Sequence, residues 1–309
     1  MPKEKIPTVS IADLTSDKGN ADYVILDTVD FLRSMGEDPL PFSNFSQNED
    51  PSLANDLPYR SDYYALGVCF QGEAMFRANL HSYHIKPGAL LIVAPEAIKQ
   101  WSSISPNHVR VAILFKKDYF LMNSADPNLL DSFSFFRFDA PHVCFLTPQQ
   151  LALLGGDMKV IKEASLSDNV YKDDIVRNLL HALLYSIADI YEKSFYANVR
   201  NRTRQEVIFS QFQHLVGKHI KTERALPFYA TKLHVTAKHL SETIKEVSGK
   251  TARQWINEAV TLEAKVLLQD KLLTIGQVAE LLSFPDQSSF GKFFKAKVGY
   301  SPSALRATF

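Results

Sequence analysis

Between residues 61 and 146, apolar and small or polar positions alternate with a period of two. Tyr64, Leu66, Val68 and Phe70 alternate with Ala65, Gly67 and Cys69. Ala89 to Ala94 (ALLIVA) is a continuous apolar run stopped by Pro95, and Val109 to Phe115 (VRVAILF) is strongly β-prone. Short strands punctuated by turns such as Pro87-Gly88 predict an all-β unit, a sandwich or a barrel. From residue 147 the period becomes helical. Thr147-Pro148-Gln149-Gln150 has the form of a capping box, and Leu151, Leu154, Met158 and Ile161 follow at spacings of three and four. A second helix, about Lys172 to Phe195, carries Ile175, Val176, Leu179, Leu180, Leu183, Leu184, Ile187, Ile190 and Tyr191. That face is wider than one core contact needs, so the pattern predicts a partner helix and a homodimer.

Residues 1 to 60 are less regular. Val24 to Met35 (VILDTVDFLRSM) reads as a short helix, and Pro39 to Pro58 as loop. Residues 197 to 206 are polar and basic and read as a linker.

The last hundred residues are helical in pattern, with one design repeated. In the first copy Pro227 opens a short helix with Ala230 and Leu233 inside. Thr236 then caps a helix carrying Leu240, Ile244 and Val247, ended by Gly249. In the second, Thr274 and Gln277 form a capping box before Ile275, Val278, Ala279 and Leu282. Ser283-Phe284-Pro285-Asp286 makes the turn, and Phe290, Phe293, Phe294 and Val298 face inward on a helix ended by Gly299. Two short helices joined by a tight turn let the second project its polar face into a major groove. The outer faces hold Lys238, Ser241, Glu242 and Lys245 on the first unit, and Gln287, Ser288, Gly291, Lys292 and Lys295 on the second. Gln reads adenine and Lys reads guanine or phosphate; Glu242 is either an acceptor for a cytosine amino group or simply solvated. The helical stretch Thr251 to Gln269, about 28 Å long at ~1.5 Å per residue, separates the units. The two recognition helices are then expected about one DNA turn apart, near ~34 Å.

Charge supports the division. The chain has 34 basic and 34 acidic residues, yet Val199 to Phe309 holds 17 basic against 9 acidic. A basic third suits a polyanion, because Lys and Arg at phosphates release counterions. No apolar run approaches the ~20 residues of a membrane span. MPKEKIPTVS has no apolar signal region, and Cys69 and Cys144 read as reduced thiols, which together predict a cytoplasmic protein with no membrane partner. No Gly-rich phosphate loop, paired-Cys zinc motif or nucleophile elbow occurs, so no catalytic residue is assigned. His81 and His84, three apart, point to opposite faces of a strand, and no His lies between Pro95 and His108, so neither a metal nor another cofactor is expected. Asp173-Asp174 complements a helix dipole.

The tail resembles the AraC/XylS family of transcription regulators. The resemblance rests on Leu281 to Lys295 (LLSFPDQSSFGKFFK) and Val298 to Arg306 (VGYSPSALR), which follow the family's F-x-x-x-F-K core and its G-x-[ST]-P-x-x-[YF]-R ending. VTAKHLSETIKEVSGKTARQWI resembles the family's first helix-turn-helix. Ser283 stands where the family usually has Gly, Leu305 where it has an aromatic, and Gly291 removes a side chain from a contact position. Lys86 to Pro95, with Trp101 after it, is similar to the small cupin-like barrel of the family's sensors. There Tyr64, Phe70, Tyr83 and Trp101 are the candidate pocket residues.

The expected fold is therefore α+β: an N-terminal cupin-like β-barrel sensor over residues 1–146, dimerisation helices over 147–196, a linker over 197–206, and an all-α domain with two helix-turn-helix units over 207–309. The expected protein is a sequence-specific regulator, an activator by resemblance, binding double-stranded promoter DNA as a homodimer and working with RNA polymerase. A small molecule in the barrel is its expected modulator. The alternatives are a cupin-type enzyme with an accessory helical domain, and a regulator whose barrel serves only assembly with a partner protein.

Overall fold

The computed structural model describes residues 8–11, 22–27, 57–95, 97–136, 140–199 and 203–308, with the side chains of 194–199 left aside. The chain divides into two compact units, Val9–Val199 on one hand and Met1–Thr8 with Arg200–Phe309 on the other.

Apart from a two-residue ladder between Thr8–Val9 and Arg60–Ser61, the strands of the first unit are β1 (Tyr23–Asp27), β2 (Tyr64–Gln71), β3 (Ala74–Ala78), β4 (His81–Ile85), β5 (Ala89–Val93), β6 (Lys99–Ser102), β7 (Val109–Phe115) and β8 (Val143–Phe145). A five-stranded antiparallel sheet runs β8-β5-β2-β7-β1, and a three-stranded one runs β4-β3-β6. Among the described residues no ladder joins these two sheets, so the barrel expected from the strand pattern is an open two-sheet arrangement. They pack face to face through Cys69, Leu91 and Val93 on one side and Phe76, Ile85 and Trp101 on the other. The expected helix from Val24 is corrected in part: Val24 to Asp27 belong to β1, paired with β7, because an apolar run this short fits a sheet edge as well as a helix. The rest of that segment and most of Pro39 to Pro58 lie outside the described residues.

The other face of the large sheet is covered by helices, principally α3 (Pro148–Ser165) and α4 (Lys172–Val199), preceded by the short α1 (Lys117–Leu121) and α2 (Leu129–Ser132). β5 therefore lies between two cores, which is why ALLIV is apolar at every position. Thr147 makes the capping box with Gln150. The wide apolar face of α4 is consumed inside the unit: Val176, Leu180, Leu183, Leu184, Ile187, Ile190 and Tyr191 are all buried, and Leu179 packs against the same core. Contact of α4 with both α3 and the sheet accounts for these residues, while Ile175 of the same predicted face stays exposed. Arg177 fixes its start, donating from Nε to the Tyr119 carbonyl at 3.0 Å and pairing with Asp174 at 2.6 Å, while Tyr23 donates to Asp173 at 3.3 Å.

The second unit is helical: α5 (Arg204–His219), α6 (Leu226–Lys232), α7 (Ala237–Ser248), α8 (Ala252–Leu268), α9 (Ile275–Leu281), α10 (Gln287–Val298) and α11 (Pro302–Arg306). α8 is the shared spine. It is buried on nearly every side because α5 and α7 pack on it from one half of the unit, and α9, α10 and α11 from the other. Among the described residues no helix is long and apolar enough to cross a membrane.

Candidate nucleic-acid interface

Each half of the helical unit builds an outward helix from local chemistry. α6 turns into α7 at His234, and α9 into α10 at Ser283; both residues adopt left-handed backbone, with φ of 56° and 52°. The same hydrogen bonds close both turns. Val235 N donates to the Ala230 carbonyl at 3.0 Å and Phe284 N to the Ala279 carbonyl at 2.8 Å, the pairing of a Schellman turn. Gly suits this conformation best, so Ser283→Gly is expected to stabilise the unit by about 0.5–1 kcal/mol, read as a raised urea midpoint.

Thr236 caps α7 by accepting from His239 N, and Asp286 caps α10 by accepting from Ser289 N at 2.7 Å. The Ser289 N–H and the Ser289 hydroxyl at 3.1 Å, helped by the Lys292 charge, hold the Asp286 carboxyl below its usual range. Gly249 and Gly299 end the two helices in left-handed conformation. Inside, Leu240 and Ile244 anchor α7, and Phe290 and Phe294 anchor α10. Phe293, expected inside, is half-buried at the margin, its ring 5.2 Å from that of Phe284.

Those anchors leave the opposite faces outside. Lys238, Glu242 and Lys245 are exposed on α7, with Ser241 half-buried; Gln287, Ser288, Lys292 and Lys295 are exposed on α10. Lys238, Lys245, Lys292 and Lys295 are in none of the ion pairs within 4 Å found among the described residues, although the Lys292 charge does act on the Asp286 carboxylate. Gln287 lies over α9: its Oε1 is 3.3 Å from where a Cβ on Gly276 would stand. A Cβ on Gly291 would meet nothing within 4 Å, so that position opens a notch in the outer face of α10.

The segment between α5 and α6 ties the halves together. Lys221 pairs at 3.3 Å with Glu263, which is 2% exposed on α8. Three residues on, the Arg224 guanidinium lies 3.6 Å from the centre of the Phe284 ring, in the turn before α10. Sequence reasoning missed this buttress, because Lys221 and Arg224 read as ordinary surface cations. It also missed Asp286 as a cap, although Asp three residues before Ser289 at a helix start is a visible signal.

In the first unit, a small apolar cavity of about 50 Å³, opening to solvent, lies between the two sheets. Of the four aromatic candidates Trp101 lines it. Tyr64 faces the helices instead, stacked on Phe115 at 5.4 Å, and Phe70 packs into the same core. Tyr83 accepts from His142 N at 3.3 Å away from the space. On β2 the small residues Ala65, Gly67 and Cys69 face the space and the large ones face the helices. Lys99 and Arg110 also line it and were overlooked, although period two from Trp101 places Lys99 on the same face of β6. His81 is half-buried, and His84 pairs with Glu73 at 3.0 Å. Among the described residues no three His, Cys, Asp or Glu side chains are grouped to hold a metal. Burial pushes the Cys69 thiol up to about 11 and, with Arg110, pulls the His108 imidazole down to about 4, so this neighbouring pair holds a neutral thiol and a neutral ring at pH 7.

Two helix-turn-helix units on one spine, each presenting a helix with exposed lysines, are the arrangement of a DNA-binding protein. A family model described as a helix-turn-helix domain matches residues 229–308. The arabinose operon regulatory protein of Salmonella typhimurium is 23% identical over 258 residues, 82% of this chain and 86% of that protein. The transcriptional activator RhaR of Pectobacterium atrosepticum is 32% identical over 94 residues, 29% of this chain and 33% of that one. A crystal structure of ToxT from Vibrio cholerae shares 14% identity and covers 94% of this chain and 99% of that chain, with a TM-score of 0.40. Residues 229–308 thus carry a helix-turn-helix domain, and the chain is similar to DNA-binding transcription regulators of the AraC/XylS type.

Proposed function

We propose that residues 207–309 read two successive major grooves of promoter DNA, α7 through Lys238, Ser241, Glu242 and Lys245, and α10 through Gln287, Ser288, Lys292 and Lys295. The observation that carries this reading is the pair of outer faces bearing exposed lysines in no close ion pair among the described residues, while the inner faces are locked into the core. The two helices anchor differently. α7 starts at the neutral Thr236, so its free N–H groups suit a phosphate. α10 starts at the anionic Asp286, so phosphate contact there falls to Lys292 and Lys295.

Gel-shift titration across a salt series tests the reading. Lys292→Ala is expected to weaken binding alike on all sequences and to reduce the slope of log affinity against log salt by about 1. A binding constant indifferent to salt on every promoter fragment would sink it.

The remaining assignments follow the same plan. Residues 1–146 are a cupin-like sensor whose two-sheet space takes a small molecule, and 197–206 link it to the reading domain. Residues 147–196 form the homodimer through the apolar side chains that stay exposed, Leu153 and Val160 on α3 and Ile175 and Tyr185 on α4. The protein acts in the cytoplasm, without catalysis, as an activator contacting RNA polymerase. A ligand controls it only by binding one arrangement of the reading domains more tightly than another.

A further inference from the structure

We propose that Gly291, at the centre of the outer face of α10, forms a notch that seats the 5-methyl group of a thymine. This rests on the reading of α10 as a major-groove helix and adds a specificity-determining position to it.

The backbone gives Gly291 no reason to be glycine. Gly249 and Gly299 end their helices in left-handed conformation, whereas Gly291 lies inside α10 in ordinary right-handed helix. Packing gives no reason either. Its two chain neighbours and the helix backbone aside, a Cβ there would meet nothing within 4 Å among the described residues. Gly155 of α3 shows the contrast, since a Cβ on it would press on the Phe70 ring at 3.2 Å. A glycine inside a helix makes that helix less stable than alanine would. Where nothing within the unit requires such a loss, a body outside it that needs the room accounts for the choice.

The surroundings define what fits. Gln287 and Ser288 lie one turn before Gly291 on α10, and Lys295 lies one turn after. The Gln287 Oε1 is 3.3 Å from where a Cβ on Gly276 would stand, so the amide leans over α9 and leaves the notch open. The floor of the notch is helix backbone, whose N–H and C=O groups bond to each other along α10. It therefore offers neither donor nor acceptor. In the major groove every base presents hydrogen-bonding groups, and thymine adds an apolar one, its 5-methyl. A carbonyl or amino group pressed on this floor loses water and gains no partner, whereas a methyl group gains burial.

On α7 the matching position is Ser241, which follows Leu240 as Gly291 follows Phe290, and its hydroxymethyl group stands where the notch would be. The methyl-reading position thus belongs to α10. A helical turn rises ~5.4 Å and a base-pair step ~3.4 Å, so the thymine falls within about two base pairs of the adenine assigned to Gln287.

A uracil scan tests this. The probe is a duplex enriched from a random-sequence library by repeated selection on the full-length protein. Its thymines are replaced one at a time by deoxyuridine, which pairs as thymine does and lacks only the 5-methyl, and gel shifts give each affinity. For the wild-type protein, one replacement near the base whose preference Gln287→Ala relaxes is expected to lower affinity about fourfold, the effect of one buried methyl. Gly291→Ala is expected to bind the parent duplex at least about fourfold more weakly. At that same position it is expected to reverse the order, binding deoxyuridine more tightly than thymine. Its helical unit is expected to melt about 2–8 °C higher, since alanine favours helix and nothing inside meets its methyl, so weaker binding cannot come from lost folding.

A Gly291→Ala variant that binds the parent duplex as tightly as wild type, or keeps the wild-type uracil profile, overturns the notch. A wild-type profile in which no uracil lowers affinity does the same. In these cases the groove reading survives if Lys292→Ala still weakens binding on all sequences. Selection that enriches no sequence, with Lys292→Ala without effect on affinity, overturns both.

Discussion

Phe290→Ala is expected to cost the helical unit about 3–5 kcal/mol and to abolish DNA binding. Phe290 is fully buried among Ala264, Leu267, Leu282 and Phe294, and its ring lies 5.2 Å from that of Phe284 and 5.8 Å from that of Phe294. Truncation loses the transfer energy of the ring and leaves a cavity that α8, already packed on nearly every side, has little freedom to fill. Domains are stable by about 5–15 kcal/mol in all, so the loss takes a large share. Thermal denaturation should show the unit's transition at a markedly lower temperature. The transition of the sheet-containing unit, which has its own cores, should hold its place. An unshifted melt would show that α10 is not held by this ring.

Gln287→Ala is expected to leave affinity for random DNA nearly unchanged and to relax base preference by about 1–3 kcal/mol at one position of the site. Gln287 is exposed on the first turn of α10, where a side chain of a major-groove helix meets base edges. Its carboxamide offers a donor and an acceptor together, the pattern that adenine complements. Competition gel shifts against single-base variants of a bound promoter measure the effect, and an unaltered preference profile would remove Gln287 from the readers. Lys292→Ala should do the reverse, weakening every sequence and sharpening none.

Much of the helical unit was legible because its punctuation is local. Thr274 with Gln277, Thr236, Gly249 and Gly299 each announce a helix end through chemistry confined to one turn, and the apolar spacings between them fix which face goes inside. Thr147 with Gln150 did the same for α3. The sheets were less legible. Period two reveals that β2 has two faces but not which one meets the helices, so Tyr64 and Phe70 were assigned to a pocket that Ala65 and Gly67 in fact line. Size misled as well, since a ligand space is made by small residues rather than large ones. Barrel closure depends on how strand edges pair, which alternation does not encode. Much of the breadth of the α4 face reflects two neighbours within the same unit, α3 and the large sheet, which spacing along the helix does not reveal.

On the proposed reading of α7 and α10, the contacts of Lys221 with Glu263 and of Arg224 with Phe284 bear on what promoters the protein would accept. They fasten one stretch of chain to the spine and to the turn that launches the second reading helix, so the separation and the angular offset of the two reading edges are built in. A target site can then vary in individual letters, each at its own modest penalty. One additional base pair between the two half-sites turns the second out of reach by roughly a tenth of a revolution.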